Sequence, residues 1–327
     1  MPRLVIKIGV LRKNLMVVHD LCRQAGAMCM FVFKEAPLHP RLTADIMKGS
    51  PVRRLGLVAW PKHRLPDLAD IHIHHVYAPS PLLARQAAAC SCVYVDSLFT
   101  MRTLARGLNG NTPQIRLCME AGDGRDGAPA EELPDLCEHA QSLGLPIRGL
   151  AVNFACLSRE APSIRRLQEA VQALQDIRLC CTAEADVSAG GTDMLELAAQ
   201  SSLPSSIGEI RCGTGITLGT YPLSGRPIPG TGQDAFKLEA QILESRIKNG
   251  RHMALLDMGT FHTAPECLRA PLPGMSFAGA SSAYTSFDVT DCPESLHEGL
   301  TLSFTPDYHA LSRALFSQAL PITMEEA

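Results

Sequence analysis

Residues Met28–Pro40 read MCMFVFKEAPLHP. Six apolar residues, entered through the Ala25-Gly26-Ala27 turn and left through a proline loop, predict a buried strand. Lys34 then stands at that strand's C-terminal end. A lysine there either snorkels to water or sits in a partly desolvated pocket, where its pKa falls and the amine becomes nucleophilic. Upstream, Leu4–Ile8 (LVIKI) is β-like, and Leu15, Val18, Leu21 and Cys22 recur at helical spacing within Arg12–Ala25. Downstream, a helix is predicted at Arg41–Lys48, a strand at Leu55–Trp60 and a short helix before Ala69. The alternation continues with strands at Ile71–Tyr77, Cys92–Asp96, Ile115–Ala121, Arg148–Ala155, within Arg178–Ala189 and at Glu209–Ile216. Helices are predicted between them at Pro81–Ala89, Leu98–Leu108, Glu131–Leu143, Ser163–Leu174 and Asp193–Gln200.

Eight β/α repeats over roughly 190 residues predict a (β/α)8 TIM-type barrel, whose closed parallel sheet has no free edge. Functional loops of that fold lie at the C-terminal ends of the strands. Lys34, Arg125, Asn153, Ser188, Thr192 and the Cys212–Gly215 turn all fall there. After Gly219 the linker TYPLSGRPIPGTG is followed by short β-prone runs (KLEAQIL, HMALLDM, FAGASSAYTSFDV, LTLSFT), which predict a smaller all-β domain completed by LVIKI. The expected division is a barrel over residues 10–225 and a β domain over residues 1–9 and 226–327.

Composition narrows the function. The chain has 327 residues, a net charge of −3 and a pI near 6.4, with no basic cluster suited to a phosphate backbone, so nucleic acid is not an expected partner. No apolar run is long enough for a bilayer, and MPRLVIKIGV lacks the pattern of a signal peptide, so a soluble cytoplasmic protein is expected. The 12 cysteines lie largely in apolar runs without a CxxC pair, which fits reduced, buried thiols.

Five stretches then resemble the alanine racemase family of pyridoxal-phosphate enzymes, and within it the ornithine/lysine racemase-like members. They are IRGLAVNFAC (Ile147–Cys156), GEIRCGTGITLG (Gly208–Gly219), RPIPGTGQDAFKLEAQI (Arg226–Ile242), GASSAYTSFDVTD (Gly279–Asp291) and DYHALSRAL (Asp307–Leu315), in order over essentially the whole chain. The resemblance implies a homodimeric amino-acid racemase or epimerase in which Lys34 holds pyridoxal 5'-phosphate as a Schiff base and then moves the α-proton. It assigns Arg211 to the pyridine nitrogen, where a donor that keeps its own proton leaves that nitrogen largely uncharged. Barrels commonly bind phosphate at the loops after strands 7 and 8, which here hold Ser188–Thr192 (SAGGT) and Cys212–Gly215 (CGTG), and the Thr192 hydroxyl with the backbone amides of Gly213, Thr214 and Gly215 suits that task. The resemblance adds Tyr308 as a phosphate contact, Asn153 beside the ring, and Arg125 near the substrate. Turn geometry for the glycines and a solvated loop charge for Arg125 are the plain structural alternatives.

The chain also departs from that pattern. Members active on alanine carry a tyrosine after a glycine in the β domain as the opposite-face acid/base, contributed across the dimer. Here MGTFHT (Met258–Thr263) has Thr260, whose hydroxyl is too weak an acid. His262 and Tyr284 are the candidates to replace it. Gly191-Thr192-Asp193 stands where the ornithine-like pattern has an asparagine-serine run. The missing tyrosine leaves decarboxylation, retro-aldol cleavage or a non-catalytic cofactor-binding role open. IHIHHVY sets His72 and His74 on one strand face with His75 opposite, but no acidic partner motif follows and no metal site is expected. GTGITLG lacks the GK[ST] of a nucleotide-triphosphate loop, and Cys181 and Cys212 read as buried thiols.

Overall fold

The computed structural model describes residues 1–57 and 70–326. The end of the strand expected at Leu55–Trp60 and the short helix expected before Ala69 lie outside the described residues. The chain divides into two compact units, Asn14–Gly230 and the combined segments Met1–Lys13 and Thr231–Ala327.

The chain begins with β1 (Arg3–Lys7). The first unit holds a closed parallel barrel of β2 (Met28–Val32), β3 (Arg54–Leu57), β4 (His72–His75), β5 (Cys92–Val95), β6 (Gln114–Met119), β7 (Ile147–Val152), β8 (Cys181–Gly190) and β9 (Ile207–Cys212). Adjacent strands pair in sequence order, and β2 closes the ring on β9 through Met28↔Glu209 to Phe31↔Cys212. The strand beneath Lys34 forms as its apolar run dictates, with Cys29, Met30 and Phe31 buried. Helices cover the barrel where apolar spacing is helical. In Ile164–Asp176 the buried side chains are Leu167, Ala170, Ala173 and Leu174, and Ser163 caps the first turn by accepting the Arg166 N–H.

The second unit is an antiparallel sheet of β10 (Phe236–Lys248), β11 (Arg251–Leu256), β12 (Leu268–Arg269), β13 (Ser276–Ala280), β14 (Thr285–Asp288) and β15 (Thr301–Pro306), in the order β12-β15-β10-β11-β14-β13. β1 joins it antiparallel to β10, and β16 (Ile322–Glu325) pairs parallel with β1. Two features differ from the sequence expectation. The first helix starts at Ile8, directly after β1, because Ile8, Leu11, Leu15, Val18 and Cys22 form one buried helical stripe. The sheet unit also carries a helix at Tyr308–Ser317, capped by Asp307 and buried through Ala310, Leu311, Ala314 and Leu315. Among the described residues, no helix is long and apolar enough to cross a membrane.

The barrel lumen departs from the usual layers of branched apolar side chains. Arg116 on β6 and Glu209 on β9 are wholly buried, and Tyr94, Asp186, Arg148, His74 and Arg211 join them. Arg116 donates from Nη1 to the carbonyls of Leu150 (3.1 Å) and Asp186 (3.0 Å), and its Nη2 lies 2.6 Å from Asp186 Oδ1. Gly149, at φ +135°, makes this approach possible, since a Cβ there would lie 2.0 Å from the Asp186 carbonyl oxygen. Burial disfavours an ionised Glu209, but Arg116, His74 and Arg54 outweigh it and hold the carboxyl well below the usual carboxylate range.

Of the three histidines on β4, His72 is exposed whereas His74 and His75 are buried. Burial lowers His74 to about 3, against the pull of Glu209, and lowers His75 to about 4. The fold therefore favours both rings neutral. Their contribution is fully present above the unfolded value near 6.5 and is lost as pH falls toward the folded values. Each histidine costs up to about 1.4 kcal/mol of stability per pH unit in that window. Urea unfolding at pH 7 and pH 5 is expected to show a drop of several kcal/mol, with the His75 share, about half of the two histidines' drop, removed in a His75→Asn variant that keeps a neutral polar group. Equal midpoints at the two pH values would contradict this.

Candidate active site

All eight barrel strands are parallel, so the loops at their C-terminal ends share one face. Lys34 lies two residues beyond β2, partly buried. Asn153 follows β7 directly, Thr192 lies just beyond β8, Gly213–Gly215 follow β9, and Arg125 lies in the loop after β6. Lys34, Arg125 and Arg211 are all near enough for their charges to act on the thiol of Cys156, in the loop after β7. The sequence-derived residues of the barrel therefore converge on one mouth.

Arg211 is the most constrained of them. Residues 207, 209 and 211 share one side of β9 by strand alternation, which carries Glu209 and Arg211 into the lumen together. Arg211 Nη1 donates to the Ser188 carbonyl (2.7 Å) and hydroxyl (2.8 Å), and Nη2 donates to the Val152 carbonyl (2.7 Å) and Asn153 Oδ1 (2.6 Å). Its guanidinium lies over the Tyr94 ring at 5.2 Å. Both terminal nitrogens are committed, and Nε–H is the one guanidinium donor with no protein acceptor among the described residues. A planar ring with an acceptor nitrogen fits that remaining donor.

Asn153 links two arginines. Its Oδ1 takes Arg211, and its Nδ2 donates to Asp126 Oδ1 at 3.2 Å. Asp126 in turn receives Arg125 Nε and Nη2 at 3.1 Å each, and the Arg125 guanidinium lies 5.9 Å from the Tyr77 ring centre. Asp123 takes the amides of Leu157 (2.8 Å) and Ser158 (3.3 Å), tying the loop after β6 to the loop after β7 beside Cys156.

The glycine loops are tightly drawn. A Cβ on Gly213 would lie 2.9 Å from the Val32 carbonyl oxygen, and one on Gly215 would lie 2.6 Å from Thr192 Cγ2. Thr192 Oγ1 accepts the Gly215 N–H at 3.1 Å, so the loops after β8 and β9 are joined by a residue expected at the phosphate. Ser188 lies deeper than the other loop candidates, wholly buried beneath Arg211 with its hydroxyl shared between Arg211 and Glu209. Cys212 is wholly buried and burial pushes the Cys181 thiol up to about 11, so both stay protonated at neutral pH.

In the sheet unit, His262 and Tyr284 stand on two loops stitched together. Thr260 N–H donates to the Ser281 carbonyl (2.9 Å) and Phe261 N–H to that of Ser282 (2.9 Å). His262 Nδ1 accepts the Gly259 N–H at 3.1 Å, which puts the proton of the neutral ring on Nε2. Tyr284 is half exposed, and Tyr308 opens the helix capped by Asp307. The sequence reading did not single out Tyr94, Asp126 or Glu209. For Glu209 the signal was present, since it lies two residues before Arg211 on a strand and so on the same side.

A family model described as alanine racemase, N-terminal domain, matches residues 6–221. The ornithine racemase of Acetoanaerobium sticklandii is 24% identical over 97% of this chain and 98% of its own length. The lysine racemase of Thermotoga maritima is also 24% identical, over 97% of this chain and 96% of its own. Among solved structures, D-threonine aldolase from Filomicrobium marinum superposes with a TM-score of 0.77 at 15% identity, covering 96% of this chain and 89% of its own. Alanine racemase from Bartonella henselae with covalently bound pyridoxal phosphate superposes with a TM-score of 0.70 at 14% identity, covering 99% of each chain. At these identities the structural matches speak for the fold alone.

Proposed function

The chain belongs to the alanine racemase family, and from that premise we propose that it is a pyridoxal-phosphate-dependent racemase acting on a basic amino acid of the ornithine or lysine kind. Relatives with those two activities match it over nearly their full lengths. One observation carries the reading furthest. A strand-end lysine shares the barrel mouth with an arginine whose Nη atoms are fully committed and whose Nε–H is left to give.

When bound, pyridoxal phosphate supplies the electron sink that makes an amino acid's α-hydrogen removable as a proton. Lys34 is the residue that would hold it and then carry a proton on Nζ at one face of the substrate. Arg211 would offer Nε–H to the ring nitrogen, and because a guanidinium does not release its proton at neutral pH, that nitrogen stays an uncharged acceptor. Asn153, which accepts from Arg211, would steady it toward the ring. The hydroxyl of Thr192 and the main chain of Gly213, Thr214 and Gly215 would serve the phosphate, with Tyr308 as a further phosphate contact. Arg125, oriented by Asp126, would take the substrate carboxylate, because a guanidinium fork matches that anion.

Racemisation needs a second acid/base group at the opposite face. With threonine at position 260, the candidates are the partner subunit's His262 and the partner subunit's Tyr284, in a homodimer whose sites are shared. The 12 cysteines, all unpaired, suit a reducing compartment such as the cytoplasm. The test is to incubate the purified protein and pyridoxal phosphate with each enantiomer of ornithine, lysine and alanine and follow the products by chiral chromatography. Conversion of either basic enantiomer to the mixture is expected. Glycine and an aldehyde from a β-hydroxy amino acid, or carbon dioxide from any substrate, would instead reveal a lyase.

A further inference from the structure

We propose that Glu209, Ser188 and Tyr94 form a buried support that fixes the orientation of Arg211, with Glu209 as its anchor and Ser188 as the link. The proposal rests on the reading of Arg211 as the ring-nitrogen partner. All four side chains are enclosed: Glu209 and Ser188 are 0% exposed, Tyr94 2% and Arg211 5%. Ser188 and Glu209 are register partners across β8 and β9, and Gly190 pairs with Arg211 two steps on, so one strand pair builds most of the device.

The direction of every hydrogen bond in it follows from chemistry. An ionised carboxylate only accepts and a guanidinium only donates. Ser188 therefore gives its single hydroxyl hydrogen to Glu209 Oε1 at 2.5 Å and accepts Arg211 Nη1 at 2.8 Å. With that hydrogen spent, Tyr94 must donate, toward Ser188 Oγ at 3.0 Å and Glu209 Oε1 at 3.2 Å. Its ring meanwhile underlies the guanidinium. No hydroxyl can reverse while Glu209 keeps its charge. Arg54, with Nη1 2.5 Å from Glu209 Oε2, pins the carboxylate from its other oxygen. A guanidinium held this way presents Nε–H in one direction. Glu209, Ser188 and Tyr94 are thus positioning residues that act on the reaction through Arg211.

The test uses Glu209→Gln, which removes the charge at constant size, and Ser188→Ala, which removes the link and leaves every charge in place. Should Glu209→Gln not fold, Ser188→Ala carries the test alone. Each is loaded with pyridoxal phosphate and compared with the parent in three ways. These are the pH dependence of the bound cofactor's absorption band, the kcat and KM for the accepted amino acid, and the lysine adduct after borohydride. Lys34 is untouched, so full borohydride trapping is expected. The absorption titration should shift, and kcat should fall about 10- to 100-fold, as when outer partners of a functional group are lost, with KM within about twofold. An unchanged absorption titration and kcat in the folded variants would overturn the proposal. Arg211→Lys is measured beside them. If it too leaves the absorption unchanged, the reading of Arg211 has failed; if only Arg211→Lys shifts it, that reading stands and the buried support is rejected.

Discussion

Replacing Lys34 by alanine is expected to abolish both covalent capture of pyridoxal phosphate and turnover. Loss of a positioned acid/base group alone costs about 10²- to 10⁴-fold, and Lys34→Ala also removes the amine that would bind the cofactor. The measurement is absorption of the loaded protein before and after borohydride, with intact mass to detect the reduced adduct. The parent should show a band that disappears on reduction and a mass gain on one lysine, and Lys34→Ala should show neither. Added methylamine offers an informative rescue, since it supplies a free amine but no positioned proton carrier. Adduct formation at another lysine would break the assignment of Lys34.

The second large effect concerns stability. Arg116→Met keeps the bulk and apolar stem of the side chain but removes the cation against which Asp186 and Glu209 are balanced. Arg116 is 0% exposed, its Nη2 lies 2.6 Å from Asp186 Oδ1, and its Nε lies 3.9 Å from Glu209 Oε1. Arg148 Nη2, at 3.4 Å from Asp186 Oδ2, and Arg54 remain, but the Leu150 and Asp186 carbonyls lose their donor. Breaking one partner of a buried ion pair costs about 3–5 kcal/mol, a large share of the roughly 5–15 kcal/mol that holds a typical domain folded. Urea unfolding should show that loss near neutral pH. A change below about 1 kcal/mol would mean that the lumen is wetter and more forgiving than its burial implies.

These two residues mark what could and could not be read from the chain. Lys34 was legible because an apolar run with a hard boundary fixes both the strand and the position of its end. The barrel followed from the same signal repeated, since each buried parallel strand shows as a short apolar run between helical segments. Arg116 and Tyr94 were not legible as lumen residues. Each sits within an apolar run (IRLCMEA, CVYVD), where a single polar residue reads equally well as an edge or a snorkelling side chain. Their partners, Asp186 and Glu209, lie 70 and 115 positions away. Only ring closure brings them together. Ser188 was found as a site residue for its place near a loop, yet its depth depends on where β8 ends. The helix at Tyr308–Ser317 carries its own signal in DYHALSRAL, since Asp307 and the apolar spacing that follows form a helix start.

The opposite-face group is the part of the mechanism on which the substrate outcome turns. In the proposed mechanism Lys34 would exchange an α-proton at one face, and inversion would draw on a donor at the other. His262 has its neutral-ring proton on Nε2, and Tyr284 shares the stitched loop pair with it. Each variant, His262→Gln and Tyr284→Phe, separates the two candidates without disturbing the barrel.

The most direct measurement is proton NMR of D- and L-ornithine and of D- and L-lysine incubated with the loaded protein in deuterium oxide. The account predicts loss of the α-proton signal from both enantiomers of the accepted amino acid, with inverted product carrying deuterium at Cα. Exchange with complete retention would show a single-faced site without a second acid/base. An undiminished α-proton signal in every case, from protein shown to hold the cofactor on Lys34, would contradict the racemase assignment itself.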